Sequence, residues 1–142
     1  MLIDHEKFMQ AALREAARGG QKGEVPIGAI ALYKGRVVGR AHNIREKSHD
    51  PTGHAEILLL RKVSKKLKSW RMPGLSVYVT LEPCLMCLSA MQQAQVSQVI
   101  FAAPDPKKDS SFHRMEIIGG VSSRESAELI RHFFKKLRLK KK

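Results

Sequence analysis

The side chains with the clearest capacity for chemistry are His54 and the two cysteines of the chain, Cys84 and Cys87. An imidazole nitrogen and thiolate sulfurs are ligands that zinc prefers, and a site with three protein ligands keeps a fourth position for water. Bound zinc lowers the pKa of that water from about 9 for the aqueous ion towards about 7, so hydroxide is available at neutral pH. These residues predict a catalytic site with one Zn²⁺ in each chain.

A carboxylate follows the histidine two positions later, at Glu56. Side chains two residues apart diverge in mid-helix, but at a helix N-terminus both can approach a metal that lies beyond its end. A carboxylate beside the water can take its proton, pass it to a ring nitrogen and then to a departing amine. We therefore predict that Glu56 carries the proton in a hydrolytic deamination. His-x-Glu followed by Pro-Cys-x-x-Cys is the known signature of zinc-dependent nucleobase deaminases.

The cysteine pair has two other interpretations. Two cysteines at this spacing in a cytosolic protein are typical of metal binding or of redox chemistry, but a redox pair does not require a preceding His-x-Glu. A closed structural zinc site would need a fourth protein ligand, and the chain offers His42, His49 and His113. The combination with Glu56 favours the catalytic interpretation.

Two predicted helices position these residues, one over about residues 54–69 and one over about residues 84–94. Pro83 introduces the second helix, because proline is favourable at a helix start. Cys84 and Cys87 then lie on one face of its first turn. The helix N-terminus favours the thiolate form that a metal ligand requires.

The remaining pattern predicts a sheet flanked by helices. A first helix covers about residues 4–18, with Asp4 as its cap and Gly19-Gly20 as its end, and a turn at Lys34-Gly35 joins the first two strands. Runs of β-forming residues predict five strands, at 27–33, 36–40, 76–81, 96–102 and 115–118. With a last helix over about 123–139, the order α-β-β-α-β-α-β-β-α is that of an α/β sandwich.

Composition limits the class of protein. The 142 residues fit one domain, residues 1–142, with a basic C-terminal helix and tail from about residue 123. Lys and Arg number 26 against 13 Asp and Glu, a net charge of +13, which favours polyanionic partners and nucleic acid first among them. The alternative is a merely basic protein.

Charged residues lie where a signal peptide would be apolar, and apolar stretches are too short for a membrane span, so we expect a soluble, cytoplasmic protein without membrane contact.

Several stretches resemble the bacterial tRNA-specific adenosine deaminase family, and the resemblance runs over nearly the whole chain. The matching stretches are 23–29, 40–43, 50–57, 78–84, 103–107, His113-Arg114 and Phe133-Phe134. The resemblance implies a cytidine-deaminase-like fold, a three-layer α/β/α sandwich with a mixed central five-stranded sheet. It also implies a homodimer that converts adenosine to inosine at the wobble position of an arginine tRNA, within the anticodon stem-loop.

The same resemblance implies three residues that bind the substrate. Asn43 matches a residue that hydrogen-bonds the target base, Ile27 an apolar residue that packs against it, and Asp105 a residue of the substrate loop. A flipped base needs such a polar reader and apolar wall. The alternatives are that Asn43 and Asp105 are turn residues and that Ile27 belongs to the core.

The basic C-terminal helix is the candidate for RNA backbone contacts. The cations concerned are Arg131, Lys135, Lys136, Arg138 and Lys140 to Lys142, and phosphate contacts there would make affinity fall steeply with salt. A solvated polar helix face is the alternative for any one of them. We expect Leu129, Phe133 and Phe134 of this helix to face inward.

Three departures from the family concern substrate and packing rather than metal. The segment between Lys107 and His113 is short, with Phe112 in place of an Asn. Gly53 replaces an Ala and should loosen the backbone. Leu88-Ser89 replaces Ala-Gly.

The competing functions are a deaminase of a free nucleobase or nucleoside, such as guanine or cytosine, and a non-catalytic zinc-stabilised RNA-binding protein.

Overall fold

A computed structural model of the chain describes residues 3–107 and 115–140. Five strands form one sheet in the order β2-β1-β3-β4-β5. The strands are β1 Gly28–Tyr33, β2 Arg36–His42, β3 Ser76–Leu81, β4 Gln98–Ala103 and β5 Glu116–Ile118. β1 is antiparallel to β2 and β3, whereas β4 is parallel to β3 and β5, so the sheet is mixed, as predicted.

Helices cover both faces of the sheet. They are α1 His5–Gln21, α2 Arg45–Ser48, α3 Ala55–Leu67, α4 Leu85–Gln93 and α5 Ser123–Lys140. Side chains alternate along each strand: Val77 and Val79 of β3 pack with α3 and α4, whereas Tyr78 between them packs with α1. α5 contacts α1, β3 and β4. The three-layer α/β/α prediction is therefore confirmed.

The predicted cap and turn of the first elements are confirmed. Asp4 precedes α1 and accepts a hydrogen bond from the backbone N–H of Lys7 at 3.1 Å. Lys34 and Gly35 have φ values of 51° and 76°, the pair of left-handed residues that a tight two-residue hairpin turn requires.

The predicted end of α1 at Gly19-Gly20 is wrong, because the helix continues to Gln21. These glycines serve packing: a Cβ atom at Gly19 would lie 3.1 Å from three side-chain atoms of His42 on β2. The left-handed residue that follows the helix is Gly23, with φ +88°.

The inward orientation predicted for the last helix is wrong for Phe134, which is 39% exposed, while Leu129 and Phe133 are half-buried. The buried residue of α5 is Ser126, near its start, where the Ser126 hydroxyl donates to the carbonyl of Thr80. The helix thus rests on the sheet through its first turns. Within residues 3–107 and 115–140, no helix is long and apolar enough to cross a membrane.

Candidate active site

His54 is presented by a loop that ends at the start of α3. It occupies the N-cap position in an extended conformation, one residue before the helix. In the loop before it, the Asp50 carboxylate accepts from the Thr52 backbone N–H at 2.8 Å and from the Thr52 hydroxyl at 2.7 Å, and these bonds lower the pKa of Asp50. The imidazole is therefore held beyond the helix end.

Gly53 lets this loop approach α2 closely. A Cβ atom there would lie 3.1 Å from the carbonyl oxygen of Asp50, 3.2 Å from the Ser48 hydroxyl and 3.3 Å from the backbone nitrogen of Arg45. These distances are tighter than ordinary van der Waals contact, so an alanine would require the neighbours to move.

The two cysteines lie at the start of α4. Cys84 is the extended N-cap residue that follows Pro83, and Cys87 is in the first turn. Cys87 is buried and Cys84 half-buried. Of the departures beside them, Leu88 is buried and Ser89 exposed, so Leu88 fills the core behind the site.

The three predicted ligands come together in a geometry that suits zinc. The Cys84 and Cys87 sulfurs are 3.7 Å apart and lie 3.6 and 3.5 Å from Nδ1 of His54. A tetrahedral zinc with bonds of about 2.3 Å to sulfur and about 2.0–2.1 Å to nitrogen separates its ligand atoms by about 3.8 Å (S to S) and about 3.6 Å (S to N). The donor atoms are thus pre-arranged for the ion.

Without a metal, the two thiols form one coupled pair. Hydrogen bonds with Cys87 and His54 lower the pKa of Cys84 to about 3. The hydrogen bond with Cys84, burial, and the charge of Glu56 raise the pKa of Cys87. Zinc binding would require both sulfurs as thiolates, because a metal ligand must be deprotonated.

A fourth protein ligand is not present within residues 3–107 and 115–140. His54, Cys84 and Cys87 form the group there that could hold a metal ion. His42 is engaged elsewhere, since its Nδ1 is 3.0 Å from the carbonyl oxygen of Asn43. His113 lies outside the described residues. The observed group is that of an open site.

Glu56 and His54 both line a cavity of about 670 Å³. Glu56 is in the first turn of α3 and only 4% exposed. Its proximity to the cysteines is visible in its effect on the pKa of Cys87. The volume is in the range of about 300–1,000 Å³ that small-molecule sites occupy, which is sufficient for a nucleoside.

The three predicted substrate residues line the same cavity. Ile27, Asn43 and Asp105 come from three separate segments and meet at its wall. The other lining residues are Val25, Arg45, Ala55, Leu81, Ala103, Pro104, Pro106, Lys107, Ala127, Ile130, Arg131 and Phe134. Phe134, exposed on α5, therefore faces this cavity.

Asn43 forms a turn and also lines the cavity. It is buried, its backbone N–H donates to the carbonyl of Ile27 at 3.0 Å, and its side-chain oxygen accepts from the backbone N–H of Arg45 at 3.3 Å. That Asx turn uses the side-chain oxygen and not the amide N–H donors. A base acceptor in the cavity could therefore still receive a hydrogen bond from Asn43.

Asp105 is likewise part of a turn while it lines the cavity. Its carboxylate accepts from the backbone N–H of Lys107 at 3.0 Å, and its own N–H donates to the carboxylate of Glu82 at 3.0 Å. Glu82 is buried and directly precedes Pro83. Sequence reasoning missed this link, although an acid next to the Pro-Cys motif was the available signal.

Glu24 is a second carboxylate that sequence reasoning missed. It is 1% exposed and accepts from the backbone N–H groups of Glu46 and Lys47 at 3.0 and 2.9 Å. It thereby caps α2, the short helix that begins with the cavity residue Arg45.

The basic residues predicted on α5 do not share one surface. Arg131 lines the active-site cavity and also, with Lys135 and Arg138, a groove along the helix. Lys136 lies in a different depression, beside Gly20 of α1. The short segment after Lys107, including Phe112, His113 and Arg114, lies outside the described residues, as do the last two lysines.

The fold and the ligand triad together define a class of protein. A mixed five-stranded sheet between helical layers, with a His-Cys-Cys group at two helix N-termini, is the arrangement of the cytidine-deaminase-like fold. The chain belongs to the MafB19-like deaminase family, whose profile matches residues 3–138.

Three known proteins show the extent of the similarity. The tRNA-specific adenosine deaminase of Bacillus subtilis (strain 168) is 40% identical, over 99% of this chain and 95% of the relative. A solved structure from a study of A-to-I editing by tRNA:A34 deaminases is 37% identical with a TM-score of 0.82, over 87% of this chain and 98% of that one. A guanine deaminase from Bacillus subtilis is 34% identical with a TM-score of 0.68, over 72% and 66%. The family resemblance predicted from the sequence is confirmed.

Proposed function

We propose that this protein deaminates adenosine to inosine at the wobble position of a tRNA, with an arginine tRNA as the expected substrate. The observation that carries the proposal is that His54 and Glu56 line one cavity of about 670 Å³, while the sulfurs of Cys84 and Cys87 lie 3.6 and 3.5 Å from Nδ1 of His54. The Bacillus subtilis relative named for this activity matches nearly the full chain. The net reaction adds water at C6 of adenine and releases ammonia.

Different residues would bind the metal and transfer the protons in this reaction. His54, Cys84 and Cys87 would hold zinc, which when bound supplies a Lewis acid that makes water nucleophilic at neutral pH. Glu56 would take a proton from the attacking water and pass it to the adjacent ring nitrogen as oxygen adds to C6. It would then take the proton of the C6 hydroxyl and give it to the amine, which leaves as ammonia while the carbonyl forms. Glu56 is buried and lines the cavity, which supports this role.

The cavity walls would orient the base. Asn43 donates its amide hydrogens to the base edge while its oxygen holds the turn to Arg45. Ile27 packs against the ring. Asp105, held by Glu82 at 3.0 Å, contacts the nucleotide from the loop after β4. An extruded base, rather than a base within a stack, fits this enclosed arrangement.

The RNA outside the cavity would lie on cationic side chains. Arg131 joins the cavity to the groove of α5 that also contains Lys135 and Arg138. A chain with net charge +13 attracts phosphates over a wide area. These features support the anticodon stem-loop over a free base.

We also propose that the protein is a homodimer and acts in the cytoplasm. Leu85 and Met86 at the start of α4 are exposed, Leu85 by 67%, and a second copy that covers them would bury apolar surface next to the zinc ligands. Two free thiols as metal ligands suit a reducing compartment. Size-exclusion chromatography with light scattering tests the dimer.

One assay tests the function. The protein is incubated with an arginine tRNA transcript that carries adenosine at the wobble position, with the same transcript carrying guanosine there, and with free adenosine, cytidine and guanine. Inosine confined to the wobble position of the first transcript, with stoichiometric ammonia, is the expected result. Ammonia from free guanine instead would establish the second candidate, which the likeness to the guanine deaminase supports. Bound zinc without turnover of any substrate would contradict both.

A further inference from the structure

A second depression, which we call the β2 groove, lies between α1, β2 and α3. It has a volume of about 490 Å³ and is lined by cationic side chains from all three elements. The cations are Arg18, Lys22, Arg40, Arg61, Lys62 and Lys65. All six are exposed, so their charges face solvent.

The charge of the β2 groove is not balanced within it. Glu15 is the only acid among its lining residues, and Glu15 already pairs with Arg18 at 2.9 Å. Like charges gathered in a concave surface repel one another and raise the local concentration of anions. The mutual repulsion is a cost to the folded chain, which a polyanionic partner would offset.

The β2 groove and the active-site cavity are lined by neighbouring residues of the same two segments. Asn43 and Arg45 line the cavity, whereas Ile44 between them lines the groove. On α3, Glu56 lines the cavity and Leu58, half a turn later, lines the groove. The two depressions therefore lie on different faces of the same two segments, residues 43–45 and the start of α3.

The length of the β2 groove suits several nucleotides. Lys65 is seven residues after Leu58 on α3, which corresponds to about 10 Å along the helix axis. A stacked strand rises about 3.4 Å per nucleotide, so this span accommodates about three nucleotides. Lys62 is anchored in place, because its Nζ donates to the carbonyl of Arg40 at 2.8 Å.

We propose that the β2 groove holds the sugar-phosphate backbone of the RNA that flanks the reacting nucleotide. The proposal rests on the tRNA substrate of the preceding section and adds a binding surface distinct from the basic residues of α5. Because the contacts are to phosphates, they contribute affinity and position rather than sequence discrimination.

Salt-dependent binding of an unreactive RNA tests the groove. The probe is an anticodon stem-loop with guanosine at the target position, and its affinity is measured by fluorescence anisotropy at several KCl concentrations. The test variant is Arg61→Gln with Lys65→Gln. Its matched control is Lys66→Gln with Lys68→Gln, which removes the same charge from the same segment, where neither residue lines the groove.

The groove variant should bind roughly 25- to 60-fold more weakly than the wild type at 0.1 M salt, and its slope of log affinity against log salt should be smaller by about 1.4–1.8. The control should remain near the wild type. Lys65→Gln on its own, with about half that slope change, guards against misfolding of the double variant, and zinc content and thermal stability are recorded for each.

Three outcomes would overturn the proposal. Both double variants lose the same RNA affinity, the groove variant binds RNA like the wild type, or the groove variant loses its dimer without losing RNA affinity. Failure of the proposed function is separable. If the wild type forms no inosine but its RNA affinity depends on the groove, the tRNA-deaminase proposal fails and the binding surface stands.

Discussion

Single residues in this site act through their position at helix ends. His54 and Cys84 each immediately precede a helix, where backbone N–H groups lack intrahelical partners and the dipole favours negative charge. The thiolate of Cys84 benefits directly from that position. Glu56, one residue into α3, can therefore reach the same metal-bound region as the histidine, although the two side chains would diverge in mid-helix.

If Glu56 carries the proton, its replacement should separate metal binding from catalysis. Glu56→Ala should lower the rate of inosine formation by roughly 10²–10⁴-fold, the range that general acid–base catalysis contributes, because no other group is assigned to the proton. Single-turnover kinetics give the rate, and elemental analysis should still find one zinc per chain. Activity near that of the wild type would contradict the assignment.

A second substitution distinguishes the two interpretations of Asn43, as a residue that binds the base and as a turn residue. Asn43→Asp keeps an oxygen for the backbone N–H of Arg45, now at 3.3 Å, but loses the amide donors. If Asn43 reads the base, kcat/KM should fall roughly 5- to 100-fold, as for the loss of one buried hydrogen-bond partner. If it serves only the turn, Asn43→Asp should be active and Asn43→Ala impaired. Thermal unfolding of both variants shows whether the loop is intact.

At the scale of elements, local signals were sufficient where a helix or strand is defined by its own residues. The bounds of β3 match the prediction, 76–81, and α4 follows Pro83 as expected. The failures have distant causes. Gly19 lies inside α1 because His42 of β2 packs against it, and α2 exists because Glu24, more than twenty residues earlier, caps it. The triad could be predicted because its residue types are rare, whereas Glu24 acts through contacts with residues more than twenty positions away that have no local pattern.

The cap on α2 can be tested by an isosteric change. Glu24→Gln removes one of the two acceptor oxygens and the charge, so we expect a loss of about 1–2 kcal/mol in the free energy of unfolding and a higher KM, because α2 begins with Arg45 of the cavity wall. Zinc content should not change. The control is Glu46→Gln, an exposed acid in the first turn of α2. Equal effects of both changes would show that charge, rather than capping, matters.

At the scale of the whole molecule, two apolar cores lie on either side of the sheet, and each packs against a different set of helices. One contains Cys87 and the residues of α3 and α4, so it supports the metal site; the other packs α1 against the sheet around Tyr78. The second core can therefore be perturbed without direct contact to the site.

Tyr78 makes the stability of that core sensitive to alkaline pH. Burial raises its pKa to about 12, and its hydroxyl is 2.7 Å from Nδ1 of His5. Because the pKa is raised above that of the unfolded chain, about 10, the contribution is fully present below pH 10 and is lost as the pH rises through 12. Comparison of Tyr78→Phe with the wild type by chemical unfolding isolates this dependence; parallel losses in both proteins between pH 10 and 12 would contradict it.

Removal of zinc should weaken the whole fold, because the triad joins the N-termini of α3 and α4. An ion bound by the native state stabilises it by about 4 kcal/mol at a free concentration 1,000 times its Kd, so chelation should lower the Tm by at least about 10 °C. Cys87→Ser should lose the metal and the same stability, and Ser89→Ala on the same helix should lose neither. Any further loss in Cys87→Ser relative to the chelated wild type measures burial of a hydroxyl in the core. Full zinc content with an unchanged Tm in Cys87→Ser would remove Cys87 from the ligand set.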